Sequence, residues 1–241
     1  AAPPEVWLLD PANGRTWPAH PRELLAEAGF ETLTSRYPRW SADGRYLAYF
    51  KPDAHLVVIL DWQGGQPILI PANLNDVGGW SPTGYQLAYT ELTFDSAAHA
   101  GEEEGKPHTD EGSGLVSHLV ITDLVSQQTI DLASGLAADD GRPAWRPDGA
   151  LLALPRAGGG GGRQLWTIQA GGGQATPLTD DPLINHSSLA WSPDGRYLAF
   201  MRLNLSSSDS EPAVWLYDSQ TASFRLIQDR AFLPGWLPAR Q

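Results

Sequence analysis

The stretch Trp191-Ser192-Pro193-Asp194-Gly195-Arg196-Tyr197-Leu198-Ala199-Phe200 contains the pattern that decides the fold. Pro193 presets the backbone of the first turn position, Asp194 is tolerated at the second, and Gly195 takes the left-handed conformation that a tight hairpin needs. One strand therefore ends before this turn and another begins after it. In the second strand the large residues fall on one face and Ala199 on the other, which suits a strand pressed between neighbouring sheets.

The pattern is repeated along the chain. Copies begin at Trp40, Trp80, Trp145 and Trp191, and Gly235-Trp236-Leu237-Pro238 begins a fifth. The intervals between successive Trp residues are 40, 65, 46 and 45 residues, so the second interval contains an insertion. Regular self-similarity at this period indicates stacked supersecondary units.

Two further β-favouring runs complete each unit. The first run of each unit spans 57–61, 119–123, 165–169 or 214–218. A similar run, 6–10, opens the chain. The shorter closing runs are 67–70, 129–132, 175–179 and 224–227. One unit thus holds four short strands, and a four-stranded sheet buries both its faces only when several copies stack in a ring.

The Trp-Ser-Pro-Asp-Gly turn followed by Leu-Ala-Phe resembles the repeat of TolB-type, WD-repeat-like β-propellers, and the resemblance extends from Val6 to Trp236. It implies an all-β fold, a β-propeller of four-stranded antiparallel blades that often closes with six blades and pairs the two termini in one blade. The chain has four complete units and a split one, so we expect five blades, with the termini sharing one of them. We expect a single domain over residues 1–241. Its shared blade would use residues 6–20 and 231–237, and the other blades would span 36–70, 76–132, 141–179 and 187–227. Because little chain follows Pro238, the fifth blade is expected to be incomplete or the chain to be cut short.

Charge and cysteine content exclude several classes of function. The 241 residues include 16 Lys+Arg and 28 Asp+Glu, for a net charge of −12, which argues against nucleic acid as a partner because phosphates require a basic surface. The absence of cysteine excludes disulfides, Cys-ligated metals and thiol catalysis. No apolar run reaches the roughly 18 residues of a membrane span, so we expect no membrane insertion by this segment.

The first four residues, Ala1-Ala2-Pro3-Pro4, have no initiator Met. They are typical of a mature N-terminus after cleavage or of a linker from a longer protein. The sequence therefore predicts a periplasmic or extracellular location. In the linker interpretation the chain would also be tethered as part of a longer protein.

Long connections concentrate on one face of the predicted propeller. The turns between strands one and two and between strands three and four are short, whereas the other links are long, and binding commonly uses long loops on a rigid scaffold. We predict a ligand-facing funnel just before the first strands, formed by Arg36, Tyr37, Asp76, Arg142, His186 and Ser187, with His118 entering from a two–three link. Such a set suits a polar or anionic small ligand or an inserted charged protein loop, or it merely solvates a water-filled channel.

The insertion at 91–116 is the most acidic segment of the chain. It contains seven carboxylates against Lys106, together with His99 and His108. Those groups could ligate a metal, but the segment has no periodic apolar anchor, so a solvated loop is favoured. Residues 21–29 predict a short helix with Pro early and Gly at its end.

Catalytic motifs are not recognisable. The glycine run 158–162 lacks the Gly-Lys-Ser/Thr of a phosphate loop, and 79–84 lacks the spacing of a nucleophile elbow. The sequence therefore predicts no catalytic residues, no metal and no cofactor. Its leading interpretation is a non-enzymatic binding, scaffold or sensor propeller for a protein partner or a small ligand. The alternatives are a metal-dependent polysaccharide lyase-like propeller and the gating domain of a prolyl oligopeptidase-like hydrolase, since propellers of this resemblance include both.

Overall fold

The computed structural model describes residues 7–9, 13–18, 36–51, 55–71, 77–94, 115–132, 139–157, 161–233 and 236. Within these ranges there is no helix, and the strands form four four-stranded antiparallel sheets and one two-stranded sheet. This part of the chain accordingly contains no helix that is long and apolar enough to span a membrane. The predicted helix at 21–29 and Asp76 lie outside the described residues.

Each four-stranded sheet is one blade, built from strands that are consecutive in the chain. The two-stranded sheet pairs β1 (Trp7–Leu9) with β2 (Thr16–Pro18). Blade I contains β3 (Arg36–Trp40), β4 (Tyr46–Lys51), β5 (Leu56–Asp61) and β6 (Ile68–Pro71). Blade II contains β7 (Gly79–Trp80), β8 (Gln86–Phe94), β9 (Leu115–Asp123) and β10 (Gln128–Asp131). Blade III contains β11 (Ala144–Trp145), β12 (Leu151–Ala157), β13 (Arg163–Gln169) and β14 (Thr176–Pro177). Blade IV contains β15 (Ile184–Trp191), β16 (Tyr197–Asn204), β17 (Ala213–Asp218) and β18 (Ser223–Gln228).

The repeat motif forms the turn between the first and second strands of a blade. The Ser192 hydroxyl donates to the Asp194 carboxylate and accepts the backbone N–H of Tyr197 at 2.9 Å. The hydroxyl is the main cause of the lowered pKa of Asp194. Gly195 has a φ of 71°, as the turn chemistry requires. The motif is thus a local structure that closes the same hairpin in successive blades.

The core lies between the blades, as the small residue of the second strand predicts. Phe50 and Ile59 of blade I pack in one cluster with Leu87 and Tyr89 of blade II. A second cluster joins blades II and III, and a third joins blades III and IV. The Ala residues of the four second strands are all buried: Ala48, Ala88, Ala153 and Ala199. The first three of them belong to these clusters.

The indole groups of the motif connect successive first strands. Each donates its Nε1–H to the carbonyl of the residue directly before the preceding motif Trp: Trp80 to Arg39 at 3.0 Å, Trp145 to Gly79 at 2.9 Å, Trp191 to Ala144 at 3.2 Å and Trp236 to Ala190 at 2.9 Å. The first strands therefore surround a common axis with the blades in chain order. This confirms the all-β propeller architecture, and a count of four to five blades fits it. That β1, β2 and the chain around Trp236 share one blade stays a prediction.

The second and third strands of blade II are longer than predicted. Strand β8 runs to Phe94 and β9 begins at Leu115, and the two pair along their whole length. The ends of the predicted 91–116 loop are therefore strand, because the alternating residues there continue the ladder. Residues 95–114, which include His99 and His108, lie outside the described part of the chain.

Candidate functional site

A cavity of about 790 Å³ lies where the first strands of the four blades meet. Blade I contributes Arg39, blade II contributes Gly79 and Trp80, and the chain before Trp236 contributes Leu233. The rest of the described lining comes from blades III and IV: Gly141, Arg142, Pro143, Ala144, Trp145, Pro155, Arg163, Asn185, His186, Ser187, Ser188, Leu189 and Ala190. Its volume falls within the range of ligand pockets, about 300–1,000 Å³. We refer to it as the axial cavity.

Three arginines line the axial cavity although the chain is acidic. Its described lining includes Arg39, Arg142 and Arg163, and no Asp or Glu stands among those lining residues. The net charge of the whole chain is −12. One of the three arginines, Arg163, is ion-paired with Asp139 beside the cavity.

Blade IV holds Arg163 at the rim of the cavity. The Asn185 side-chain oxygen accepts the backbone N–H of Arg163 at 3.1 Å, and His186 Nδ1–H donates to the Arg163 carbonyl at 2.8 Å. The preceding Gly162 allows this approach, because a Cβ there would lie 2.3 Å from the carbonyl oxygen of Ile184. Arg163 Nη2 also donates to the Asp139 carboxylate at 2.7 Å. The arginine is thus anchored at its backbone and at its guanidinium.

A β-bulge in β15 brings two serine residues to the cavity. The register of β15 against β16 shifts between Ser187 and Ala190, and Ser188 has a φ of 52°. Bulges commonly re-aim side chains in this way. Within the bulge, Ser187 and Ser188 both line the cavity.

His186 is a neutral imidazole at the edge of the cavity. Its side chain is buried, and this burial is the main cause of its lowered pKa. The positive charge of Arg202 lowers the pKa further. The hydrogen bond to the Arg163 carbonyl and the charge of Asp181 act in the opposite direction. Because Nδ1 donates to a carbonyl, the neutral ring has Nε2 as its acceptor.

The structure brings together three of the seven predicted site residues. Arg142, His186 and Ser187 all line the axial cavity. His186 and Ser187 lie inside β15 rather than before it, because the bulge lets this first strand begin earlier than the motif predicts.

Of the other four predicted residues, His118 alone has a side chain within the described part of the structure. Arg36 and Tyr37 lie within β3 instead of before it, and their side chains and Asp76 are outside the described residues. His118 lies in the third strand of blade II, where it pairs with Glu91 of β8. The described lining of the cavity does not include His118.

Sequence reasoning missed Arg39, Arg163, Asn185 and Ser188. Arg39 directly precedes a motif Trp, and the equivalent residues of the other blades, Gly79, Ala144 and Ala190, also line the cavity. Counting back one residue from each Trp would have found it. Arg163 opens a third strand and reaches the cavity through contacts between blades, for which the sequence has no periodic signal.

Possible metal ligands are dispersed in the described part of the chain. No group of three or more His, Asp or Glu side chains there could hold a metal ion.

No protein-family model matches the chain. A curated relative, the uncharacterized peptidase YuxL of Bacillus subtilis (strain 168), is 30% identical over 140 residues. The match covers 48% of this chain and 20% of the relative, so it spans about a fifth of that protein.

Solved structures of TolB and of several enzymes resemble the chain in fold. A putative TolB from Agrobacterium tumefaciens has a TM-score of 0.58 at 20% identity, covering 80% of this chain and 66% of that one. An oligogalacturonate lyase in complex with manganese has a TM-score of 0.60 at 19% identity, covering 92% and 58%. A prolyl endopeptidase has a TM-score of 0.62 at 15% identity, covering 94% and 33%.

These comparisons correct one prediction. The expectation that the chain is not an enzyme is wrong, since its sequence relative is named a peptidase and its structural neighbours include a lyase and a prolyl endopeptidase. The sequence contains no catalytic motif of recognisable spacing, but a propeller can serve an enzyme without containing its catalytic groups. The antiparallel blades, the axial indole links and the similarity to TolB show that the chain has the TolB-type β-propeller fold.

Proposed function

We propose that this chain is the propeller of a peptidase and that its axial cavity receives peptide. The observation that carries the proposal is the cavity of about 790 Å³ among the first strands of all four blades. The match to a protein named a peptidase supports it, as does the fold shared with a prolyl endopeptidase. The proposal takes up the hydrolase alternative that the sequence left open.

The cavity lining suits an extended peptide. Four residues of the lining can offer apolar contacts: Trp80, Trp145, Leu189 and Leu233. The polar residues Ser187 and Asn185 of the same lining can offer hydrogen bonds. Ligand pockets commonly combine such apolar walls with a few placed polar groups. In this role the propeller controls which peptides pass along the axis toward hydrolysis.

The remaining predictions are unchanged by this proposal. A periplasmic or extracellular location stays a prediction, as does the binding of a protein partner or a small polar ligand on the long-loop face. Peptide is the ligand that we favour for the cavity.

The proposal is tested with the product of the complete reading frame and a panel of fluorogenic peptides of increasing length. Ser187→Trp places an indole in the cavity, so we expect hydrolysis of the longer peptides to fall at least several-fold relative to that of the shortest. Ser223→Trp, on the exposed strand β18, is the matched control and should leave the length dependence unchanged.

Circular dichroism of both variants checks that the fold is retained. Failure of the complete protein to hydrolyse any peptide, with no peptide binding by the chain itself, would contradict the proposal.

A further inference from the structure

We propose that a second, smaller cavity between blades III and IV binds a free α-amino acid with an aromatic side chain. Asp181 binds the ammonium group of this ligand, and Arg202 binds its carboxylate. Three aromatic rings receive its side chain: those of Phe200, Trp215 and Phe224. The inference concerns a site separate from the axial cavity and does not rest on the proposed function.

The second cavity has a volume of about 230 Å³. This volume lies below the range of about 300–1,000 Å³ that is typical of pockets for larger ligands, so a molecule of amino-acid size fits it better than a long peptide. We refer to it as the interblade pocket, and it shares only His186 with the described lining of the axial cavity. Its described lining comes from the link between blades III and IV and from the four strands of blade IV: Leu178, Thr179, Asp180, Asp181, His186, Phe200, Arg202, Trp215 and Phe224.

One wall of the interblade pocket is aromatic. Phe200 of β16 lies directly opposite Trp215 of β17 in the strand pairing, so the two side chains share one face of blade IV. The Phe224 ring lies 6.1 Å from the Phe200 ring at an angle of 86°. Phe200 is only 1% exposed, whereas Phe224 is 39% exposed, so this wall extends from the interior to the surface. An aromatic ring of a ligand can join such a cluster at the usual spacing of about 4.5–7 Å.

A separated pair of opposite charges lies beside the aromatic wall. Arg202 Nη2 is 3.9 Å from Asp181 Oδ2, which is too far for a hydrogen bond. In the same blade, Arg196 and Asp218 are in direct contact at 2.8 Å. An ammonium and a carboxylate on one carbon atom can each reach one member of the separated pair, whereas a simple anion or cation would also meet a like charge. The pair is therefore complementary to a zwitterion.

Both charged groups are held in place before a ligand binds. Asp181 Oδ1 accepts the backbone N–H of Leu183 at 3.1 Å, and the Asp181 carbonyl accepts the Gln164 side-chain amide at 2.6 Å. The guanidinium carbon of Arg202 lies 4.7 Å from the centre of the Trp215 ring, a cation–π contact that orients the fork. Groups anchored in this way lose less entropy when the ligand arrives.

The test compares four small molecules by isothermal titration into the chain. L-Phenylalanine carries both charges and the ring, phenethylamine lacks the carboxylate, 3-phenylpropanoate lacks the ammonium group, and L-alanine lacks the ring. We expect L-phenylalanine to bind at least about ten-fold more tightly than each of the others. The first two analogues lose a charge-assisted hydrogen bond, and alanine loses the aromatic contact.

Two variants assign the charged groups. Arg202→Met removes the guanidinium but keeps an unbranched side chain beside Trp215, so it should abolish the advantage of L-phenylalanine over phenethylamine. Asp181→Asn should abolish the advantage over 3-phenylpropanoate, since an amide no longer attracts the ammonium group. Arg225→Gln is the matched control, because it removes a positive charge from the exposed strand β18 outside the described lining of the interblade pocket.

The wild-type chain alone can overturn the inference, even if a variant fails to fold. Absence of L-phenylalanine binding, or equal binding of L-phenylalanine and the three analogues, would refute it. Circular dichroism checks the fold of each variant. Preferences that persist unchanged in folded Arg202→Met and Asp181→Asn would also refute the inference, because the ligand would then bind elsewhere.

Discussion

At the scale of single residues, His186 links two blades through one imidazole. It lies in β15 of blade IV, donates to the Arg163 carbonyl of blade III at 2.8 Å, and packs 5.6 Å from the Phe200 ring. Only 2% of the residue is exposed. Burial therefore favours the neutral ring, so protonation of His186 at low pH would destabilise the folded state.

We expect His186 to make the fold less stable below neutral pH. Its folded-state pKa is lowered from 6.5, so the unfolded chain takes up a proton more readily. The stability that His186 contributes is complete above the unfolded pKa and is lost as the pH falls toward the lowered folded pKa. Thermal melting followed by circular dichroism should show a larger fall in Tm between about pH 7.5 and about pH 5.5 for the wild type than for His186→Gln.

Gln is the appropriate replacement because its amide can donate to the same carbonyl but does not titrate in this range. All other ionisable side chains are the same in the two proteins, so the comparison isolates the contribution of His186. An identical pH dependence of Tm in the two proteins would refute the role assigned to His186.

At the scale of elements, a buried ion pair connects blade III to blade II. Arg156 of β12 donates to both carboxylate oxygens of Asp140, at 2.6 and 3.0 Å, and the Asp140 side chain is completely buried. The Leu119 N–H of β9 donates to the same carboxylate at 3.1 Å, and the Ser117 hydroxyl donates to the Asp140 carbonyl at 2.8 Å. Both members of the pair therefore have the hydrogen bonds that burial of charge requires.

Asp140→Asn should destabilise the fold by about 3–5 kcal/mol, because it leaves the buried Arg156 without its counter-charge. Urea unfolding measures the loss. The control is Arg196→Gln, which breaks a similar pair with Asp218 that is only partly buried and should cost much less. The double variant Asp140→Asn with Arg156→Met should be more stable than Asp140→Asn alone. If the double variant is the less stable of the two, the uncompensated charge is not the cause.

At the scale of the whole molecule, four indole bonds join the first strands in sequence around the axis. Trp236 makes the last of them, to the Ala190 carbonyl at 2.9 Å, although 38% of this residue is exposed. The bond places Trp236 next to blade IV, where a fifth blade would begin. We propose that this segment and the β1–β2 sheet complete that blade.

Trp236→Phe removes the last indole bond and keeps most of the apolar contact. We expect a loss of about 1 kcal/mol, or a fall in Tm of about 2–4 °C for a domain of this size. Ending the chain after Leu233 should lower Tm further, because the β1–β2 sheet would also lose its neighbour. Calorimetry distinguishes these outcomes: an unchanged Tm for the shortened chain would exclude a shared terminal blade.

The repeat could be read from the sequence because its chemistry is local. The Ser, Asp and Gly residues of each copy form the turn within a few residues of one another, so Trp191 to Phe200 is enough to predict the hairpin that the structure contains. Alternation of large and small residues likewise predicted the buried Ala of each second strand. Repetition of this pattern determined the propeller, since such sheets bury both faces only against copies of themselves.

The cavity depended on tertiary structure. Arg39, Arg142 and Arg163 belong to a first strand, a loop and a third strand, and the packing of separate blades alone brings them to one cavity. The bulge in β15 then places Ser187 and His186 beside them, whereas His118 is held in the β8–β9 ladder. Turn residues and strand alternation are local properties that a sequence displays directly. The distances between side chains on different blades depend on strand bulges and blade packing, which no short stretch of sequence encodes.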